Sequence, residues 1–317
     1  MAEQAFAEIN RGFNATFRAG RLSLGLVVPV AAYPGSPVPD MEGHLARAKR
    51  AEALGFAALW LRDVPFNVPS FGDAGQLFDP FTYLGFLAGQ TRDIALGVAS
   101  IVLPLRHPAH VAKAAASVDV LSGGRLILGV ASGDRPEEYP AMGADIEARA
   151  EAFRESFAYI RAMGEATPRI VNHFGQTDGR IDMLPKPTGT RLPLLITGSS
   201  RQAPDWIAEH GDGWMTYPRG GAAQAQVLAD WRASLARLGQ PAKPVLQPLY
   251  VDLAEDPDEG PSPIHLGVRT GHRWLLAYLR ELEASGVHHV ALNLRFNRAP
   301  IDATLDRLAR DVLPSFT

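Results

Sequence analysis

The sequence contains no cysteine, no long apolar run and no excess of positive charge. The absence of cysteine excludes disulfides, thiolate nucleophiles, cysteine-ligated zinc and iron–sulfur clusters. No stretch approaches the roughly 20 apolar residues that span a bilayer, so we expect no membrane partner. The formal net charge of -3 and the scattered arginines argue against a nucleic-acid partner. These absences leave small-molecule chemistry as the main possibility.

Several sequence signatures are missing as well. The first residues lack the basic and apolar segments of a secretory signal, so we expect a cytoplasmic protein. The sequence has no Walker loop, no Gly-x-Ser-x-Gly elbow and no Rossmann glycine fingerprint. His107 and His110 could together ligate a metal, but no nearby carboxylate completes a site, so we predict no metal centre.

Short apolar runs alternate with helical patterns along the whole chain. Eight predicted strands alternate with eight predicted helices, and no shift in composition marks a linker. This pattern predicts an α/β fold, a single (β/α)₈ TIM barrel in one domain over residues 1–317. Residues 1–20 carry phenylalanines at helical spacing and form an amphipathic N-terminal arm.

The regular alternation has one interruption and one long loop near its end. After strand four, residues 164–191 form an insertion, and its polar, glycine-containing part over 169–184 predicts a hairpin. After strand seven, an acidic, proline-rich loop over 254–263 leads to a helix predicted from about 267 to 284. Both segments contribute to one end of the barrel.

Polar residues follow several predicted strands, which is where barrel enzymes hold their active sites. Asp63 and Asp134 could each act as a base or bind a substrate hydroxyl, although a lone carboxylate at a helix start is more often a cap. Strand-end arginines would suit an anionic cofactor, and surface positions are the alternative. The arginines in question are Arg106, Arg201 and Arg219.

Two motifs among these strand ends are compatible with a flat, phosphorylated ligand. The loop after strand five offers backbone N–H groups, hydroxyls and one guanidinium just before a helix, which suits a phosphate, with an ordinary helix cap as the alternative. Its residues are Gly198, Ser199, Ser200, Arg201 and Gln202. Ala99 and Ser100 interrupt a bulky strand, which leaves room for a flat ligand or satisfies packing inside the barrel.

In order and spacing, these segments resemble the signatures of the bacterial-luciferase-like flavin oxidoreductases, a (β/α)₈ family of two-component monooxygenases and related deazaflavin-using reductases. The resemblance spans roughly residues 22–297. The segments that carry it are Ala99–Pro104 with His107–Pro108, Gly124–Gly129, Leu195–Ser200 and Gly211–Trp214.

The resemblance implies positions for a flavin. Ala99 and Ser100 would be joined by a non-proline cis peptide under the isoalloxazine ring, and Ser132 and Asp134 would lie along the ribityl chain or pyrimidine edge. The phosphate would be held by the loop after strand five, through Ser199, Ser200, Arg201 and Gln202. Where luciferases carry a histidine pair after strand two, this chain has Asp63–Val64. Asp63 would then take over proton transfer or shape the pocket.

The function implied by the resemblance is that of an FMN-dependent oxidoreductase. We expect a homodimeric, two-component monooxygenase that uses reduced FMN and O₂ on a small organic substrate. Because no nicotinamide-binding fingerprint is present, a separate flavin reductase would supply the reduced FMN. A deazaflavin (F420)-dependent hydride-transfer enzyme and a non-catalytic flavin-binding protein of the same fold are the alternatives.

Overall fold

The computed structural model describes residues 5–316. Within that range a ten-stranded sheet has the order β10-β11-β9-β12-β1-β2-β3-β4-β7-β8, and β8 also pairs with β9. Eight of these strands therefore close into a parallel barrel, as predicted. The strands are β1 Ser23–Val27, β2 Ala58–Leu61, β3 Ala95–Val102, β4 Leu126–Ala131, β5 Arg169–Asn172, β6 Gly175–Asp178, β7 Leu194–Thr197, β8 Gly213–Met215, β9 Val245–Leu253, β10 Ser262–Ile264, β11 Gly267–Thr270 and β12 His289–Asn293.

Helices surround the barrel and connect its strands. Proline occupies the first helical position of three of them. In one of these, α3, the Asp79 side chain caps the helix by accepting from Thr82 N at 2.9 Å. Within residues 5–316, none of the helices is both long and apolar enough to cross a membrane. The helices are α1 Arg11–Thr16, α2 His44–Ala53, α3 Pro80–Ala88, α4 Pro108–Leu121, α5 Glu138–Ala141, α6 Arg149–Met163, α7 Pro204–His210, α8 Gly221–Arg237, α9 His272–Ser285 and α10 Ile301–Asp311.

The barrel strands have apolar side chains on both faces. Because side chains alternate along a strand, β2 directs Leu59 and Leu61 toward the surrounding helices and Ala58 and Trp60 into the barrel. The inner cluster is separate from the larger one between strands and helices. This alternation fixes which residues face the barrel interior at its carboxyl end.

The N-terminal arm closes the amino end of the barrel. Ile9, Phe13 and Phe17 are buried and pack with the inner barrel cluster. Asn10 caps α1 and donates through Nδ2 to Asp119 Oδ1 at 2.9 Å, which attaches the arm to α4. The arm therefore packs on the body of the fold through its apolar face.

Two connections test the predicted interruptions of the βα pattern. The hairpin predicted in the insertion after strand four is confirmed, since β5 and β6 pair antiparallel. The predicted start of the helix after β9 is wrong: residues 267–270 form β11, and α9 begins at His272. Within β11, Gly267 and Arg269 are half-buried and alternate with the buried Val268 and Thr270, a period of two, and β11 pairs with β9 in parallel.

Candidate active site

One half of the carboxyl end of the barrel is lined by small side chains. The alternation directs Gly97 and Ala99 of β3 inward, together with Gly129 and Ala131 of β4. A Cβ on Gly97 would lie 2.3 Å from the Trp60 ring, and one on Gly129 would lie 2.3 Å from a carbonyl oxygen of β3. The Trp60 and Met215 side chains fill the barrel interior beside these two glycines, so Ala99 and Ala131, which are half-buried, form the accessible part. We call this surface the small-residue half.

The peptide bond between Ala99 and Ser100 is cis, as the resemblance implies. The ladder between β3 and β4 shifts register at this point, between Val98 and Ile101. The Ser100 hydroxyl is hydrogen-bonded to Thr197 Oγ1, which lies 3.2 Å from Met215 Sδ on the neighbouring strand. The small-residue half thus extends across β3, β4 and β7.

The two candidate residues after β4, Ser132 and Asp134, differ in burial. Ser132 is buried, and its carbonyl oxygen accepts from the Tyr139 hydroxyl. Asp134 is exposed at the end of the strand. Burial, and then the charge of Asp134, raise the pKa of Tyr217, which follows β8. Asp134 and Tyr217 therefore come close enough to interact across the opening.

The loop after β7 presents backbone N–H groups. Gly198, Ser200 and Arg201 all have positive φ angles, of 56°, 43° and 61°. Within residues 5–316, the N–H groups of Ser199 and Ser200 donate to no protein acceptor, whereas Gln202 N donates to Ser199 O at 2.8 Å. Successive amides in such conformations form a concavity that suits an anion. The following helix, α7, has seven residues, so the loop itself supplies these donors.

Gln202 and Ser200 also stabilise the loop. Gln202 Nε2 donates to Ala150 O at 2.9 Å and to Ser200 O at 3.1 Å, which connects the loop to α6. The buried Ser200 hydroxyl donates to Thr197 O at 2.7 Å. These two side chains are engaged within the protein, while the Ser199 and Ser200 amides face outward from the loop.

Asp63 lies in an ion pair with Arg106. Arg106 Nη2 lies 2.7 Å from Asp63 Oδ1, and Arg106 Nε donates to Oδ2 at 3.0 Å. Val102 N also donates to Oδ2, at 3.1 Å, and none of the Asp63 side chain is exposed. The carboxylate therefore joins the carboxyl ends of β2 and β3 and has both oxygens engaged.

The opposite half of the barrel end carries charged and aromatic side chains. Arg62 continues the inward alternation of β2, while Tyr250 and Arg295 continue those of β9 and β12. Asp73, from the long loop after β2, pairs with Arg62 and lies 2.9 Å from Arg295 Nη1. Tyr33 packs with its ring 4.9 Å from Arg295 Cζ. We call these five residues the charged half.

Electrostatics couple the members of the charged half. Burial alone would raise the pKa of Asp73, but Arg62 and Arg295 outweigh it and lower that pKa. Burial raises the pKa of Tyr33 and Tyr250 above the usual range of a phenol. The tyrosines therefore stay neutral, and the carboxylate stays ionised between two guanidinium groups.

A second buried pair adjoins the charged half. Arg135 Nη1 lies 3.6 Å from Glu138 Oε1, and neither atom makes a hydrogen bond within residues 5–316. Burial raises the pKa of Glu138 against the opposing effect of Arg135. Arg135 also donates to Asp73 O at 3.1 Å and lies over the Phe71 ring. The pair attaches the loop after β2 to the end of β4.

The two histidines considered as metal ligands have other contacts. His107 caps α4, accepting from Ala109 N at 3.2 Å, and its Nε2 lies 3.1 Å from Phe174 O of the hairpin. Among the described residues, no group of three or more histidine and acidic side chains is arranged to hold a metal ion. His107 therefore fastens the β5–β6 hairpin to the barrel.

The charged half was largely missed by sequence reasoning. Arg62, Asp73, Tyr33 and Tyr250 are not among the candidate site residues that the sequence indicated. Side chains alternate along a strand, so Arg62, two residues after Trp60, faces the same side as Trp60. This alternation is the signal that could have identified Arg62. Asp73 lies in a long loop whose path is not readable from local sequence.

The fold and site define a (β/α)₈ enzyme whose carboxyl end combines a small-residue half, an amide-rich loop and a charged half. A family model described as luciferase-like monooxygenase matches residues 21–290. The chain belongs to this family, which places it among oxidoreductases and confirms the resemblance.

Curated relatives are similar over part of their length. A pyrimidine monooxygenase RutA from Allorhizobium ampelinum is 29% identical over 182 residues, which cover 55% of this chain and 49% of that protein. A 4-hydroxyprotoasukamycin monooxygenase from Streptomyces nodosus is 26% identical over 220 residues, 67% of this chain and 58% of that protein. The chain thus spans about half the length of these relatives.

Solved structures share the fold at low identity. The monooxygenase RslO1 from Streptomyces bottropensis has a TM-score of 0.76 at 18% identity and covers 93% of this chain and 100% of its own. An F420-dependent secondary alcohol dehydrogenase with an F420-acetone adduct has a TM-score of 0.76 at 16% identity. The match covers 94% of this chain and 99% of that one. The oxygenating constituent of 3,6-diketocamphane monooxygenase from Pseudomonas putida, in complex with FMN, has a TM-score of 0.73 at 14% identity. The match covers 94% of this chain and 99% of that one.

Proposed function

We propose that this protein is an FMN-dependent monooxygenase that uses O₂ and reduced FMN on a small organic substrate. The observation that supports it most directly is the small-residue half, where Ala99, Ser100 and Ala131 leave a half-buried surface without bulky side chains. Gly97 and Gly129 lie deeper, where the Trp60 and Met215 side chains fill the barrel interior. A planar ring system fits against such a surface. The relatives named as monooxygenases favour oxygen chemistry.

The residues at the barrel end are compatible with the rest of the cofactor. The N–H groups of Ser199 and Ser200, which have no protein acceptor among the described residues, suit the FMN phosphate, with Gly198 shaping the loop and Arg201 adding charge. Ala99 and Ser100 would support the ring. Gln202 would act by holding the loop to α6.

The residues after β4 would line the middle of the cofactor. Ser132 and Asp134 follow β4, between the small-residue half and the loop after β7 in the order of the sheet. Asp134 would meet a ligand hydroxyl, since its carboxylate is exposed at the opening. Reduced flavin would supply the electrons for oxygen activation, and the protein would bind, orient and exclude water.

For Asp63 we propose a positioning role in place of proton transfer. Its carboxylate accepts from Arg106 and from Val102 N, and it is fully buried. A base needs a free oxygen directed at the proton that it abstracts. Asp63 would instead keep Arg106 and the end of β3, two residues after the cis peptide, in place.

The partners we propose are a separate flavin reductase and a second copy of the chain. An exposed aromatic surface on α2 and α3 would form the homodimer contact. Phe78 and Phe86 are 43% and 45% exposed, His44 beside them is half-buried, and its Nδ1 lies 2.6 Å from the hydroxyl of the buried Tyr83 beneath. We call these four residues the α2–α3 aromatic surface. Contiguous exposed apolar patches mark interaction sites.

An F420-dependent hydride-transfer enzyme is the second candidate, because a solved structure with this cofactor shares the fold at a TM-score of 0.76. Titration of the purified protein with oxidised FMN and, in parallel, with F420 separates the two. We expect the visible absorption bands of FMN to shift and saturate, and those of F420 to remain unchanged. Saturation with F420 alone would favour the second candidate.

Catalysis is tested separately from binding. Anaerobically reduced FMN is loaded onto the protein, mixed with O₂ in a stopped-flow spectrometer and compared with free reduced FMN. We expect the reoxidation of bound FMN to differ in rate and spectral course from that of free FMN. A protein that binds FMN but leaves its reoxidation unchanged would be a flavin-binding protein without monooxygenase function.

A further inference from the structure

Arg62 borders the small-residue half directly. Arg62 directly follows Leu61, whose partner on β3 is Val98, and Ala99 directly follows Val98. The Arg62 side chain keeps 19% of its surface exposed. Its guanidinium therefore lies at the border between the proposed cofactor surface and the charged half.

Part of the Arg62 guanidinium has no protein partner. Nη1 pairs with Asp73, whereas Nε and Nη2 make no hydrogen bond within residues 5–316 and are not sealed from solvent. A Cβ on Gly75 would lie 3.0 Å from the guanidinium, so the glycine backbone covers one of its faces. The unpaired N–H groups are thus held in a fixed orientation.

Arg62 has to share its counterion. Arg62 and Arg295 share the carboxylate of Asp73, and the remaining contacts of Arg295 Nη2 are to the carbonyl oxygens of Ser36 and Gly72. Arg135 has the Glu138 carboxylate beside it, and the charge of Asp134 also acts on it. One carboxylate therefore serves two guanidinium groups, so the charge around Arg62 and Arg295 is unbalanced, which is unfavourable for half-buried groups.

Aromatic rings surround the unbalanced charge. The Tyr250 and Phe296 rings lie 5.4 Å apart, and Arg295 Cζ lies 5.1 Å from the Phe296 ring. His265, at the tip of the β10–β11 hairpin, lies 5.8 Å from the Tyr250 ring. Burial keeps the phenols of Tyr33 and Tyr250 protonated, so these rings add no negative charge.

We infer that Arg62 is a substrate-binding residue and that the substrate is a small, ring-containing organic anion whose carboxylate accepts from the free N–H groups of Arg62. The ring of the substrate would pack against the contacting rings of Tyr250 and Phe296, while Asp73 holds the guanidinium in place. This inference rests on the proposed function, because it assigns the substrate class of the same site. It does not depend on which flavin is bound.

The experiment measures binding of matched acids and amides by isothermal titration calorimetry, with and without FMN. The probes are benzoate, phenylacetate and cyclohexanecarboxylate with their neutral amides. We expect at least one carboxylate to bind the wild type tenfold or more tightly than its amide, about the effect of a hydrogen bond to a charged group. Arg62→Gln should abolish this preference, and Arg62→Lys should retain part of it.

The control is Arg310→Gln, which removes an exposed guanidinium on α10 and should leave the preference unchanged. Circular dichroism of each variant checks folding. The inference is overturned if no probe pair shows a carboxylate preference in the wild type, if Arg62→Gln retains it, or if Arg62→Gln weakens FMN binding instead. Failure of FMN to bind while the carboxylate preference persists would reject the proposed function and leave the anion site standing.

Discussion

Single side chains at the two ends of the barrel have very different surroundings. At the amino end, His289 is fully buried, accepts from Trp60 Nε1 at 2.8 Å and has Ser23 Oγ 2.6 Å from Nδ1. Because the Ser23 hydroxyl donates to Thr16 O, the proton between Nδ1 and Ser23 must belong to the histidine. The ring is therefore neutral with one defined tautomer.

His289 makes the stability of the fold depend on pH. Burial lowers its pKa to about 3, compared with about 6.5 in an unfolded chain. Below pH ~6.5 the unfolded chain therefore binds a proton at His289 that the native state excludes. The contribution of His289 to stability is complete above pH ~6.5, and below it the folding constant falls about tenfold for each pH unit. Urea midpoints between pH 7 and 4 should fall more steeply for the wild type than for His289→Phe.

The matched control for the histidine is His110→Phe on the exposed side of α4. Its midpoints should parallel those of the wild type at every pH. If His289→Phe shows the same slope as the wild type, the histidine is already protonated in the native state and the assigned tautomer is wrong.

At the carboxyl end, Ser100 is the residue on which flavin binding depends most in this proposal. Ser100→Leu places a branched side chain where the hydroxyl now contacts Thr197 and lies 3.8 Å from Met215 Sδ. We expect FMN affinity to fall at least a hundredfold, with an unchanged circular dichroism spectrum. The measurement is the FMN absorption titration, and Ser117→Leu on α4 is the control. An unchanged FMN affinity of a folded Ser100→Leu protein would refute the placement of the ring.

Among the elements, the ends of β2 and β3 are joined by one ion pair. Asp63 and Arg106 contact each other through two hydrogen bonds, and the same carboxylate accepts from the backbone of β3. When the Asp63 carboxylate is removed, Arg106 keeps only the longer contact with the exposed Asp79, at 3.3 Å, and 22% of the Arg106 side chain is exposed. The ion pair that joins the strand ends is therefore buried at Asp63 and partly exposed at Arg106.

Asp63→Asn should lower the free energy of unfolding by about 3 kcal/mol, near the lower end of the range for a broken buried ion pair. Urea unfolding measures this change. Asp93→Asn, which breaks the exposed pair with Arg11, should cost less than about 1 kcal/mol. The pH profile of oxygenation should keep its shape in Asp63→Asn. Loss of one limb of that profile without loss of stability would instead identify Asp63 as a base.

The elements also show what local sequence can and cannot predict. The hairpin in the insertion was predicted correctly because a polar, glycine-containing segment is a local signal. Strand β11 was missed because Gly267–Thr270 is short and gains its conformation by pairing with β9. In the site, the small residues Ala99 and Ser100 stood out within a bulky strand.

Contacts across the site were less predictable than the residues themselves. Arg106 lies 43 positions after its partner Asp63, and Arg62 meets Asp73 through a loop that folds back over the barrel. Such pairs form only when tertiary structure brings distant segments together, so periodicity and motif spacing carry no information on them. The Asp63 carboxylate was identified from the sequence, but its partners were not.

For the whole molecule, the α2–α3 aromatic surface is the feature most directly related to assembly. Its aromatic rings contact one another, with the His44 and Phe78 ring centroids 5.6 Å apart and those of Tyr83 and Phe86 6.5 Å apart. Leu77, which is 48% exposed, extends the patch. A surface of this kind favours contact with a second copy over contact with water.

Light scattering coupled to size exclusion should give twice the chain mass for the wild type. Phe86→Glu introduces a charge into the α2–α3 aromatic surface and should shift the protein to the mass of one chain. Val171→Glu changes an apolar residue of β5 that is 79% exposed and should leave the mass unchanged. A wild type with the mass of one chain, or a Phe86→Glu protein that keeps twice the chain mass, would contradict the proposed contact.

The arm at the amino end has a kinetic consequence for the opposite end. Ile9, Phe13 and Phe17 fill the base of the barrel interior, so ligands of the carboxyl end approach and depart on the same side. Two ligands that share this opening would hinder each other's exchange. A short helix distant from every proposed reacting group would thereby make the release rate of one ligand depend on the concentration of the other.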